Sequence, residues 1–210
     1  AGNHAAKALR DSNFSGEIHV YEGTGEPPAN PMLTTYYASD KLSLEGSYPF
    51  GKTEDIKREL SLTFKENTMV KKIHLHQKQI ETESGECFEY NKILIATGAK
   101  AIMPAMKQDR RVLLMRTMKD ARKLKAYLKE NKVERAVVVG ASMVGIKLVE
   151  LLYNKGIKTT LADMAPFLFP LAAYENVGRE LERRLTEKGI EFKWKAGIQD
   201  ITPKGAVFND

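Results

Sequence analysis

The residues best placed to do chemistry in this sequence are a set of small residues and one acid. Val137-Val-Val-Gly140-Ala-Ser142-Met143-Val144-Gly145 runs an apolar strand into a tight turn that opens a helix. Gly140 permits the turn, and Gly145 lets the helix pack closely on the strand. The helix N-terminus, with the backbone of Ser142, Met143 and Val144, offers free N–H groups and a positive dipole end to a pyrophosphate. Ser142 stands where the middle glycine of a dinucleotide fingerprint usually stands. It keeps close approach of backbone to phosphate plausible and adds a hydroxyl donor. Asp163 ends the next strand, 18 residues after Gly145, where an acid meets ribose hydroxyls. Two alternatives share this geometry: a strand-to-helix turn that binds nothing, and a methyltransferase site for S-adenosylmethionine.

Elements that alternate between strand and helix must position these residues. The pattern predicts a helix over 118–131, a strand over 135–139, a helix over 143–155 and a strand over 158–162. A helix over about 175–188, a strand over 191–194 and a hairpin over 198–209 follow. Strands alternating with helices of this length imply βαβ units and a parallel sheet. In the first half, 5–10 reads as the tail of a helix and 17–22 as a strand ending at Glu22. That places Glu22 where a second ribose-binding acid would stand. Residues 52–65 are helical in pattern. Strands are expected over 68–73, 74–82 and 87–90, and 92–97 reads as a strand of the buried type ending at Gly98.

The order of these motifs is specific. Lys92-Ile-Leu-Ile-Ala-Thr97-Gly98 resembles the ATG motif of the pyridine nucleotide-disulfide oxidoreductase superfamily, lying between the two nucleotide segments as it does in that family. Ala1-Gly2 with His4-Ala-Ala-Lys-Ala-Leu9 resembles the end of the family's first glycine fingerprint. Glu26-Pro-Pro to Tyr36-Tyr37 resembles the loop that reaches the flavin ring. The resemblance spans essentially the whole chain. It implies an α/β fold, with a Rossmann-type NAD-binding domain and an incomplete FAD-binding domain of the two-dinucleotide-binding-domain flavoprotein fold. Residues 1–108 would form the partial FAD domain, its first strand missing. Residues 109–210 would form the NAD(H) domain, its C-terminal strand missing. A longer parent chain, and weak or no FAD binding by these 210 residues alone, are expected.

Carried over by residue, the resemblance places Gly2, Glu22, Val70, Thr97 and Gly98 at the FAD site. Gly140, Ser142, Met143, Val144, Gly145 and Asp163 fall at the NADH site. It implies an FAD-dependent NAD(P)H oxidoreductase, with hydride passing from NADH to flavin and on to a small-molecule or redox-protein acceptor. The acceptor and self-association into a homo-oligomer stay open. So do a non-catalytic nucleotide-binding protein with a decayed flavin site and a flavin-free NAD-binding enzyme.

The departures from the family pattern matter equally. Ala29-Asn-Pro31-Met-Leu33 contains no redox cysteine, which points to the branch resembling ferredoxin and rubredoxin reductases. Those relatives usually carry Arg and then Ser-Lys in this loop, whereas this chain has Asn30 and Thr34-Thr35. Lys147 stands where the family often has Glu, with Glu150 one turn further on. No catalytic acid or base is named, because hydride transfer between cofactors needs orientation more than a protein base.

Composition narrows the classes further. The 210 residues are 42% hydrophobic and 29% charged, which excludes a disordered or low-complexity chain. The net charge of +6 comes from scattered lysines and arginines, so a solvated surface is preferred to a nucleic-acid patch. One cysteine, Cys87, excludes an internal disulfide and multi-cysteine zinc sites, and fits a reducing, cytoplasmic compartment. No apolar stretch is long enough for a membrane span. His74 and His76 are expected two apart on one strand face without a third ligand, so no metal site is assigned. The apolar stretch 164–170 is expected to pack over the NAD site or against a neighbour.

Overall fold

The computed structural model describes residues 1–104, 106 and 109–209. In chain order the elements are α1 (Gly2–Asp11), β1 (His19–Tyr21), α2 (Thr34–Ala38), α3 (Thr53–Glu59), β2 (Thr63–Lys65), β3 (Val70–His74), β4 (Gln79–Thr82) and β5 (Cys87–Glu89). Then come α4 (Met118–Glu130), β6 (Arg135–Val139), α5 (Met143–Asn154), β7 (Lys158–Asp163), α6 (Glu175–Thr186), β8 (Glu191–Trp194), β9 (Gly197–Thr202) and β10 (Gly205–Asn209). The chain divides into two compact units. One comprises Ala1–Asn30 and Leu44–Ala99, the other Pro31–Ser43 and Lys100–Asp210. The domain boundary expected between 108 and 109 touches Gln108, and the expected domain end is Asp210. Both lie outside the described residues.

In the first unit, alanines along α1 favour helix, and Ala6 packs with Ile56 and Leu62. Arg10 closes the far end of α1. Its Nε donates to the carbonyl of Leu60 at 2.8 Å and its Nη1 to that of Gly16 at 2.9 Å. The helix is longer than the expected 5–10 tail, starting at Gly2. β1 pairs in parallel with β2, His19 opposite Thr63 and Tyr21 opposite Lys65. The helix expected over 52–65 therefore ends early. Ser61 takes a positive φ of 48°, and Thr63 and Phe64 gain a strand partner that outweighs their helical spacing.

β3, β4 and β5 form an antiparallel three-stranded sheet. The strand expected over 74–82 is broken by a turn at 75–78, where Lys78 has a φ of 50°. His76 lies in that turn, so the two histidines do not share a strand face. His74 Nε2 instead meets Glu81 Oε2 across the hairpin at 2.9 Å. Residues 92–97 form no strand, and Leu94 and Ile95 are 66% and 63% exposed. Among the described residues no strand pairs with this stretch, and an apolar run cannot enter a sheet without a ladder partner.

The second unit is built on the parallel sheet β6-β7-β8. Val138, Val149, Leu152, Leu161, Leu168 and Ile190 belong to its core. α4 opens with a capping box, Thr117 accepting from the Asp120 N–H while the Asp120 carboxylate accepts from the Thr117 N–H. Such a box stabilises a helix start by about 1 kcal/mol. β9 and β10 form the expected hairpin. The short helix α2, with Thr34, Thr35 and Ala38 buried, has no counterpart in the sequence reading.

Candidate nucleotide-binding site

Strand β6 delivers the chain into the Gly140 turn, and β7 delivers Asp163 beside it. The two strands pair in parallel from Arg135 opposite Lys158 to Val139 opposite Ala162. Gly140 has a φ of 117°, a conformation that side-chain-bearing residues rarely adopt. A Cβ on Gly145 would lie 1.9 Å from the Gly140 carbonyl oxygen. Helix α5 therefore crosses the turn at a distance only glycine tolerates. Ser142 is its N-cap, in extended conformation, with its hydroxyl oxygen 3.5 Å from the Gly145 N–H.

Asp163 completes this arrangement. Its Oδ2 accepts the Ala141 N–H at 2.5 Å and its Oδ1 accepts the Ala165 N–H at 2.7 Å. The carboxylate thus ties the glycine turn to the end of β7. An ionised carboxylate has about four acceptor positions, so two stay available to hydroxyl donors. The stretch after Asp163 folds back onto the same turn. The Phe169 N–H donates to the Ala141 carbonyl at 3.1 Å, and Leu168 is fully buried. Gly178 on α6 makes room for that stretch, since a Cβ there would meet the Leu168 carbonyl oxygen at 2.5 Å. Six of the residues singled out by the sequence thus converge: Gly140, Ser142, Met143, Val144, Gly145 and Asp163.

In the first unit the singled-out residues fall into two neighbourhoods. Gly2 opens α1, and a Cβ on it would stand 3.6 Å from the Ala96 Cβ. The start of α1 therefore lies beside the stretch leading to Thr97 and Gly98. Gly98 has a φ of 71°, and both residues are exposed. Glu22 follows β1 and binds its own turn, accepting the N–H groups of Thr24 and Gly25 at 2.7 Å each and the Thr24 hydroxyl. The Thr68 N–H, two residues before Val70, donates to the Glu22 backbone carbonyl at 2.7 Å.

Charges around α2 and α5 form a cluster that only tertiary structure reveals. Glu150 accepts from Lys41 at 2.5 Å and Lys147 at 3.0 Å, and these cations hold its carboxyl below the usual range. The Lys147 ammonium lies 5.6 Å from the Tyr36 ring centre, and Glu150 raises its pKa. Lys41 and Glu150 are 109 residues apart in sequence, so spacing carried no signal of their pairing. The groove among Thr35, Tyr36, Lys41, Lys147 and Glu150 has a volume of about 10 Å³, room for one water and not for a cofactor. A carboxylate so stabilised is a weak base. Among the described residues no three His, Cys, Asp or Glu side chains cluster as metal ligands. Cys87 is exposed on β5.

A family model described as pyridine nucleotide-disulphide oxidoreductase matches residues 1–209. The chain belongs to this family. Over 204 residues it is 26% identical to a rubredoxin-NAD(+) reductase of Ectopseudomonas oleovorans, spanning 96% of this chain and 52% of that protein. It is 25% identical over 213 residues to an NADH oxidase of Methanocaldococcus jannaschii, spanning 99% of this chain and 48% of that one. A ferredoxin reductase from Rhodopseudomonas palustris superposes with a TM-score of 0.86 at 20% identity, covering 100% of this chain and 52% of the other. That likeness establishes the fold: mixed α/β, of the class the sequence predicts. The chain spans about half the length of the curated relatives it matches. No helix among the described residues is long and apolar enough to cross a membrane.

Proposed function

We propose that the protein is an FAD-dependent NAD(P)H oxidoreductase that takes hydride from NADH and passes electrons to an acceptor without using a protein thiol. The observation that carries this reading is the junction of Gly140, Gly145 and Asp163 in the second unit. There a turn whose positive φ at Gly140 favours glycine, and a helix too close to it for a Cβ at Gly145, meet a carboxylate with spare acceptor positions. In this reading the N-terminus of α5 receives the NADH diphosphate, with Ser142, Met143 and Val144 supplying the backbone around it. Asp163 accepts from the adenosine ribose. Phe169 and the stretch before it cover the turn and limit its contact with water.

FAD, when bound, would supply the two-electron acceptor for that hydride. The first unit fits it in two respects: α1 opens at a residue without a side chain, and a buried amide on its first turn lacks a partner. Gly2, Thr97 and Gly98 would hold its diphosphate, with Glu22 and Val70 at the adenosine end. The relatives named for rubredoxin and ferredoxin support a redox protein as acceptor, with a small molecule as the other option. Steady-state reduction of an artificial one-electron acceptor tests the reading. NADH-driven turnover that rises with added FAD supports it, and turnover that ignores FAD contradicts it.

One observation favours a second reading, in which the chain binds NAD(H) alone. Residues 92–97, leading to the flavin-side Thr97 and Gly98, form no strand and stay exposed. Saturable NADH binding without any flavin uptake would select that alternative.

A further inference from the structure

Phe169 takes a φ of 59°, a left-handed conformation that bulky side chains seldom adopt. Every other non-glycine residue with positive φ among the described residues is polar. Strain of this kind persists only where the surroundings hold it, and here they do. Leu168 beside it is fully buried, and Phe169 itself packs against the core of the second unit. Gly178 on α6 leaves room for the stretch, since a Cβ there would stand 2.9 Å from Cδ2 of Phe167. The Phe169 carbonyl accepts the N–H groups of Ala172 and Ala173 at 2.9 Å each, and its own N–H donates to the Ala141 carbonyl at 3.1 Å.

That last bond leaves Ala141 held at both of its peptide groups, because Asp163 Oδ2 accepts its N–H at 2.5 Å. The Gly140 N–H is engaged by the Ala162 carbonyl at 2.9 Å. The first helical bond of α5 runs from the Ile146 N–H to the Ser142 carbonyl at 3.0 Å, so the N–H groups of Met143 and Val144 precede the ladder. The Ala141 carbonyl is the oxygen just before those donors in the chain. Left free, the peptide joining Ala141 to Ser142 can rotate and turn that oxygen toward an anion gathered at the helix start, which it would repel. Resting on the NADH reading above, we infer that Phe169 is a positioning residue for the dinucleotide. Its left-handed backbone keeps the Ala141 carbonyl turned away from the diphosphate, so that N–H groups alone face it. Any other backbone conformation at Phe169 carries its N–H elsewhere and releases that carbonyl.

The test titrates NADH, through its fluorescence, into wild type and three variants. Phe169→Gly, Phe169→Ala and Phe169→Val all delete the ring and differ in how readily they turn left-handed: glycine freely, alanine at a cost, β-branched valine least of all. NADH should bind about tenfold more tightly to Phe169→Gly than to Phe169→Val, equivalent to 1.4 kcal/mol, with Phe169→Ala between them. Packing alone predicts the reverse order, because valine retains more of the lost volume. ADP-ribose, which keeps the diphosphate without the nicotinamide, should follow the same order as NADH. In turnover the difference should fall on KM for NADH rather than on kcat. Where Phe169→Val fails to fold, the glycine and alanine variants carry the comparison, with an expected gap of about threefold. If affinity instead rises with side-chain size, or is equal across the variants, the backbone at Phe169 does not position the turn, and the inference fails while the NADH reading stands. If wild type itself binds no NADH, that reading falls, and the inference falls with it.

Discussion

Asp163 Oδ2 and the Ala141 N–H are 22 residues apart in sequence and 2.5 Å apart in space. This bond joins the end of β7 to the turn after β6, so the acid proposed to meet the ribose also fixes the loop proposed to meet the diphosphate. Replacing Asp163 should therefore do two things at once. Asp163→Ser should lower stability by about 1.5–3 kcal/mol, the usual worth of hydrogen bonds to a charged group. It should also raise KM for NADH. A variant that binds NADH as wild type does, at unchanged melting temperature, would show that Asp163 does neither.

In the proposed reading the same carboxylate should set cofactor preference. A 2′-phosphate brings negative charge against Asp163, and the next residue, Met164, offers no cation. NADH should be preferred over NADPH on the order of tenfold to several hundredfold in kcat/KM. Kinetics with both cofactors decide this, and equal or better use of NADPH would mean that Asp163 does not face the ribose.

Gly145→Ala places a methyl group 1.9 Å from the Gly140 carbonyl oxygen. Backbone must shift, at a cost of about 1–3 kcal/mol or more for overpacking. Denaturant unfolding should show that loss together with weakened NADH binding. Gly156→Ala is an informative control, since a Cβ there meets nothing within 4 Å while its φ of 71° still strains the turn. It should lose stability without specific loss of NADH affinity.

The second half of the chain was largely legible because its strands and helices are each stabilised by near neighbours in sequence. β6 and β8 fall at the expected residues, and Gly140, Gly145 and Asp163 meet as their spacing implies. The first half was less so. Thr63–Lys65 became a strand because β1 pairs with it, a contact that helical spacing cannot express. Residues 92–97 have the composition of a buried strand but no partner among the described residues. The Lys41–Glu150 pair depends on how α2 packs on α5, which no local pattern encodes.

The acid on α6 offers a pH test. Arg183 and then Arg184 bind Glu180 and hold its carboxyl at about 2, below the ordinary value of 4.5. Any stability from these pairs is fully present above pH 4.5 and is lost as pH falls through about 2. Carboxyl NMR titration should find Glu180 depressed in wild type and moved toward its ordinary value in Arg183→Gln/Arg184→Gln. An ordinary wild-type value would show these pairs to be solvated.

Cys87 is exposed on β5, away from any second cysteine. Cys87→Ser should leave NADH-dependent reduction of an artificial acceptor within about twofold, whereas a tenfold loss, about 1.4 kcal/mol in the barrier, would place the thiol in the electron path.

Anaerobic mixing of the purified, FAD-loaded protein with NADH, followed through the flavin's visible absorbance, tests the central claim most directly. The account predicts rapid bleaching of that band by one equivalent of NADH, undiminished after the thiol is alkylated. A flavin band that persists in excess NADH, or bleaching abolished by alkylation, would contradict it.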